Sequence, residues 1–184
     1  MLENLINLVR QNAGDGILNN NSIPNEKNDE AVAGASNSIM ATLQSALASG
    51  KLNDVLGYFK NGSTDSPVVQ EATGNYARQL QQNLGLNESD AQSTATRVIP
   101  QTMNQLATKA ADPSDNGFNI QDIFNNLSGG KTGGMDIQAL LSRFGGGKLD
   151  TDGDGDVDLQ DLKGMFSGGN AGGNLMDKVK GMFS

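Results

Sequence analysis

The sequence predicts an all-α protein, a small helical bundle followed by short helices on glycine hinges. Three observations predict it. Apolar residues recur at helical spacing through the first 111 residues. Capping residues stand at the breaks between those stretches. Beyond residue 112, a unit opening on Asn or Asp recurs between glycine clusters.

In the first part, Leu2, Leu5, Ile6 and Val9 share one helical stripe. Val32, Ala35, Ile39, Leu43 and Leu47 mark a longer second helix, ended by Ser49-Gly50. Leu52, Val55, Leu56 and Phe59 predict a short third helix, closed by Asn61-Gly62. Ser66-Pro67 is a helix start, a capping hydroxyl followed by Pro at the first helical position. Val69, Ala72, Tyr76, Leu80 and Leu84 follow at helical spacing, and Gly85 ends that helix. Asn87 caps the next, whose stripe is Ala91, Ala95, Val98, Ile99, Met103 and Leu106. Pro100 falls inside it and is expected to kink it, since the ring removes a backbone donor and crowds the preceding turn. Hydrophobic residues make up 36% and aromatics 4%, with no Trp, so the core must come from Leu, Ile, Val, Met and Ala.

The composition changes after Asp112-Pro113, which divides the chain into residues 1–111 and 112–184. More than half of the 24 glycines lie beyond residue 128. Between them the unit appears as residues 119–127, 136–144 and 158–166, with a looser copy at 174–183. An Asn or Asp stands first in each copy as a natural N-cap, and the first three copies run into glycine. Helices this short are marginal alone, so they must pack on something or be held by a ligand. A low-complexity linker with fleeting helices is the alternative away from the acidic loop described next.

Asp150-Thr-Asp-Gly-Asp-Gly-Asp-Val-Asp-Leu-Gln-Asp161 fits the twelve-position calcium loop of an EF-hand. Asp150, Asp152 and Asp154 fill the first three ligand positions. Gly155 occupies the sharp turn, and Asp156 offers its backbone carbonyl. Val157 takes the apolar position that pairs with a neighbouring loop, Asp158 acts through a water, and Asp161 closes the set on the outgoing helix. Six carboxylates here carry most of the formal net charge of -8, leaving -8 minus -6, or -2, for the rest. Such a cluster repels itself without a cation. All-oxygen donors favour Ca2+ over transition metals, with Mg2+ as the competitor. The plain alternative is a solvated acidic turn.

The loop resembles the dockerin form of the EF-hand, Asp-x-Asp-x-Asp-Gly-x-Val-Asp-x-x-Asp, over residues 149–166. Dockerins carry two such loops and dock onto cohesin partners on secreted enzymes. Here the other candidate, Asp112 to Asp122, is one residue short and lacks most ligands. Phe118 corresponds to Val157 in it. Phe118 can brace Val157 through a short β-pairing or join a local core, or Val157 can pair with a second chain.

Residues 68–118 are similar to the YidB-like bacterial family of unknown function. The similarity rests on Leu84-Gly85-Leu86, Ala91, Ala95, Val98-Ile99-Pro100, Leu106 and Asn116-Gly117. It implies a compact helical domain and no particular reaction.

With neither Cys nor His, disulfides, thiol chemistry and Ser-His or Cys-His triads are excluded. No basic stripe marks a nucleic-acid footprint. No apolar run approaches the ~18 residues that span a bilayer. Met1-Leu-Glu-Asn-Leu-Ile6 does not read as a Sec signal, so the expected compartment is the cytoplasm, with non-Sec export as the alternative. Glu71, Glu88, Arg97 and Lys109 are scattered over expected helix faces and single out no catalytic pair. Leu175, Met176, Val179, Met182 and Phe183 form a tail stripe that either closes the protein's own core or meets an unknown partner. The expected function is a non-catalytic, calcium-binding helical protein with a structural or interaction role. The alternative is an exported protein whose last third folds on external calcium.

Overall fold

A computed structural model of the chain describes residues 1–132, 134 and 136–143. The described part is all-α. Its elements are α1 (Leu2–Asn12), a π-helical turn (Gly14–Leu18), a 3-10 turn (Asn25–Lys27), α2 (Asn28–Ala48), α3 (Leu52–Asn61), α4 (Pro67–Leu84), α5 (Glu88–Ala111), α6 (Ile120–Leu127) and α7 (Ile137–Arg143).

Local chemistry sets most of the boundaries. The Ser66 hydroxyl accepts from Val69 N at 3.3 Å, with Pro67 at the first helical position of α4. Asn87 Oδ1 accepts from Asp90 N at 2.9 Å, while Asp90 Oδ2 accepts back from Asn87 Nδ2 at 2.8 Å. Gly62 and Gly85 close α3 and α4 with φ of 60° and 70°, a left-handed conformation that costs a residue with a Cβ.

α5 is the hub and packs against α1, α2, α3, α4 and the π-helical turn. Its whole predicted stripe is buried, as are the predicted stripes of α2 and α3. In α1, Leu5 and Val9 are buried, Ile6 is half-buried and Leu2 is exposed; Leu8 completes the inward face. In α4 the stripe is buried up to Leu80, and Leu84 is half-buried. α5 runs unbroken through Pro100. The carbonyl deprived of its donor belongs to Thr96, which is exposed and can bond water instead.

Two tyrosines tie helices together. Tyr58 Oη donates to Met103 O at 2.6 Å, and Tyr76 Oη donates to Ala31 O at 3.0 Å. Burial pushes both phenols well above their ordinary pKa, so they stay protonated as donors. By contrast, the Thr102 hydroxyl is buried on α5 without a hydrogen-bond partner. Thr102→Val keeps the shape and removes that unmatched dipole. It should stabilise the protein by about 1 kcal/mol, read as a higher urea midpoint at unchanged slope. A lower midpoint would show that the hydroxyl is satisfied after all.

The core continues past Asp112. Ile120, Ile123, Phe124 and Leu127 of α6 and Ile137 and Leu140 of α7 belong to the same buried cluster as α1–α5. The Phe124 ring tilts onto Phe59 at a centroid distance of 5.6 Å. Asn119 caps α6 through Gln121 N at 2.9 Å, and Asp136 Oδ1 accepts from Ala139 N at 2.9 Å in α7. Gly129 (φ 62°) and Gly130 (φ 87°) end α6, with Gly130 N returning to Asn125 O at 2.8 Å. That return is the six-to-one bond of a Schellman close. Gln121 then joins the two helices: Oε1 accepts from Ile137 N at 3.1 Å and Nε2 donates to Thr132 O at 3.4 Å. Within this pair, the segments expected as glycine-hinged helices are packed helices with defined caps.

Candidate metal loop and its degenerate copy

Asp150, Asp152, Asp154, Asp156, Asp158 and Asp161 lie outside the described residues, as do Val157, the third and fourth copies of the repeat and the tail stripe. Among the described residues, no three acidic groups come together as a metal site. The fit of a cation is therefore judged from the donor set at 150–161. It offers carboxylate and backbone oxygens and neither imidazole nor thiolate, which matches the hard-oxygen requirement of Ca2+.

In the weaker candidate loop, residues 112–122, the first two carboxylates are taken up by local hydrogen bonds. Asp112 Oδ1 accepts from Ser114 N at 2.8 Å and from Ser114 Oγ at 2.6 Å. Asp115 Oδ1 accepts from Gly117 N at 2.8 Å and Phe118 N at 3.1 Å, and its Oδ2 meets Lys109 Nζ at 3.1 Å. The turn is closed by its own backbone donors, the Ser114 hydroxyl and one ammonium group. The Ser114 hydroxyl, then its N–H, holds the Asp112 carboxyl below the usual carboxylate range. Lys109, then the Gly117 N–H, does the same for Asp115. The Asp112 and Asp115 carboxylates are thus already engaged, by donors of the turn itself and by Lys109.

Phe118 is buried and belongs to the core cluster. It lines a shallow cavity of about 170 Å³ with Asn4, Asn7, Leu8, Gln11 and Lys109. The expected pairing of Phe118 with Val157 falls outside the described residues. Asn4 Nδ2 donates to Gly117 O at 2.8 Å, fastening α1 to this turn.

The scattered polar residues stay apart. Glu71 faces Lys51 at 3.8 Å, and Lys109 is committed to Asp115. Glu88 lies in the first turn of α5. Arg97 lines an open cleft of about 500 Å³ with Gln11, Asn12, Asp15 and Gln101.

Sequence reasoning missed this cleft because it missed the π-helical turn that forms one wall. There, Leu18 N reaches Ala13 O at 3.1 Å and Asn19 N reaches Gly14 O at 2.9 Å, the wider spacing of a π-turn. Asn20 Nδ2 fastens the turn to α5 by donating to Gly16 O at 3.0 Å and Thr94 Oγ1 at 2.9 Å. Close by, Asn12 and Gln105 exchange two amide hydrogen bonds at 3.1 and 2.8 Å. The available signal was Gly14-Asp15-Gly16, a break too small to name the turn.

No family model matches the sequence, and no curated protein or solved structure is significantly similar to it.

Proposed function

We propose that this chain is a non-catalytic calcium-binding protein, a helical bundle carrying one EF-hand-type loop, with a structural or protein-interaction role. The observation that carries the reading is the joint pattern at 150–161: Asp150, Asp152 and Asp154, Gly155 at the turn, aliphatic Val157, and Asp161 opening a helix-forming stretch. The dockerin-like spacing supports it.

Calorimetric titration with Ca2+ tests the proposal on the full chain and on Asp150→Ala/Asp154→Ala. The wild type should bind one equivalent, and the double variant should lose the heat. For a dissociation constant of ~10 µM, ~1 mM Ca2+ should stabilise the metal-bound state by ~2.7 kcal/mol. Equal heats in the two proteins would remove the site. A parallel Mg2+ titration shows which ion holds the loop at cellular concentrations.

A further inference from the structure

The sequence contains two Asn-Gly pairs, Asn61-Gly62 and Asn116-Gly117. In such a pair the glycine nitrogen can attack the asparagine side chain, because no Cβ shields it. We infer that Asn116 is a site of spontaneous deamidation in the folded protein, whereas the fold slows the same reaction at Asn61.

The two sites share exposed asparagines but differ in what holds the attacking nitrogen. Gly62 N donates to Tyr58 O at 2.8 Å as the closing bond of α3, and Gly62 O accepts from Asn104 Nδ2 at 2.8 Å on α5. Moving Gly62 N onto the Asn61 carboxamide breaks a helix cap whose acceptor is a fixed backbone carbonyl. At the second site, Asn116 stands in a turn between α5 and α6. There Gly117 N donates to the Asp115 carboxylate at 2.8 Å. That carboxylate also accepts from Phe118 N and meets Lys109 Nζ, both at 3.1 Å, but Asn116 lies in no helix, so its approach to Gly117 N opens no helical turn. Neither glycine is readily replaced. Gly62 has φ of 60°, and a Cβ at Gly117 would lie 3.2 Å from Asp115 Oδ1.

The chemistry balances with water as the co-reactant. Gly117 N attacks Asn116 Cγ and loses its proton, the new C–N bond closes a succinimide, and the side-chain nitrogen leaves as ammonia. Water opens the ring at either carbonyl to give aspartate or isoaspartate. Each product adds a carboxylate next to Asp115. The isoaspartyl product also inserts a methylene into the backbone ahead of Gly117, whose carbonyl anchors Asn4 of α1.

The experiment ages the intact protein in mildly alkaline buffer and follows both sites by peptide mapping and mass spectrometry. The same chain unfolded in urea reports the reactivity of the local sequences alone. Folded protein should convert Asn116 about tenfold faster than Asn61, the factor that opening the last turn of α3 supplies. In urea the two rates should converge. Equal rates in the folded protein, a faster Asn61, or an unreacted Asn116 over a period in which the unfolded chain converts both would each overturn the inference.

Discussion

Truncating Phe124 to alanine is expected to lower the unfolding free energy by about 3–5 kcal/mol, the cost of emptying a filled aromatic site. The ring is fully buried and lies on Phe59, which in turn stacks on Tyr58 at a centroid distance of 4.7 Å. The residue sits beyond Asp112, in the glycine-rich part of the chain. A large loss would therefore show that α6 is part of the cooperative core rather than a helix resting on it. Urea unfolding of the full chain measures it. A cost below about 1 kcal/mol, typical of a surface site, would mean that α6 docks weakly. Amide exchange adds a second readout, since α7 packs against α6 and is bonded to it through Gln121. Protection in residues 137–143 should fall with the truncation.

Gly16→Ala is expected to cost about 3 kcal/mol, the upper range for overpacking. A Cβ at that position would fall 2.5 Å from Val98 Cγ2, well inside contact distance. Val98 is fully buried in α5, and a helical valine has essentially one rotamer, so it cannot turn away. The relief must come from the backbone of the π-helical turn. A double-mutant cycle isolates this clash. Val98→Ala alone opens a cavity and destabilises, but combined with Gly16→Ala it should recover most of the second loss. Simple additivity of the two costs would show that the glycine is required for some other reason.

The parts of the fold that were legible in the sequence are those with local causes. Ser66-Pro67, Gly62, Gly85 and Asn87 act within one helical turn of themselves, and each sits where the pattern placed it. The buried stripes of α2, α3 and α5 follow from spacing alone. The π-helical turn was not legible because it is packed on α5, with Gly16 against Val98, a contact made by the tertiary fold. The breadth of burial on α2 was hidden for a similar reason. Ser38 and Thr42 look like surface residues until Gln79 and Asn75 of α4 supply their hydrogen bonds at 2.8 and 2.9 Å. The degenerate loop was readable as poor in ligands. That Lys109 and the turn's own N–H groups satisfy it was not, because it depends on where α5 ends. The proposed calcium loop at 150–161 rests on sequence chemistry throughout.

Neutral amides make many of the joins between elements here: Asn4 to Gly117, Asn12 to Gln105, Asn20 to Thr94, Asn75 to Thr42, Asn104 to Gly62 and Gln121 to Ile137. The ion pairs Arg10–Asp29, Lys27–Glu30 and Lys51–Glu71 lie at the exposed surface, where such pairs add little. Dissolved salt screens charges and leaves uncharged dipoles nearly untouched. A scaffold fastened this way owes little to ion pairs, the Lys109–Asp115 contact apart, so changes in salinity act mainly on that contact and on its concentrated aspartates.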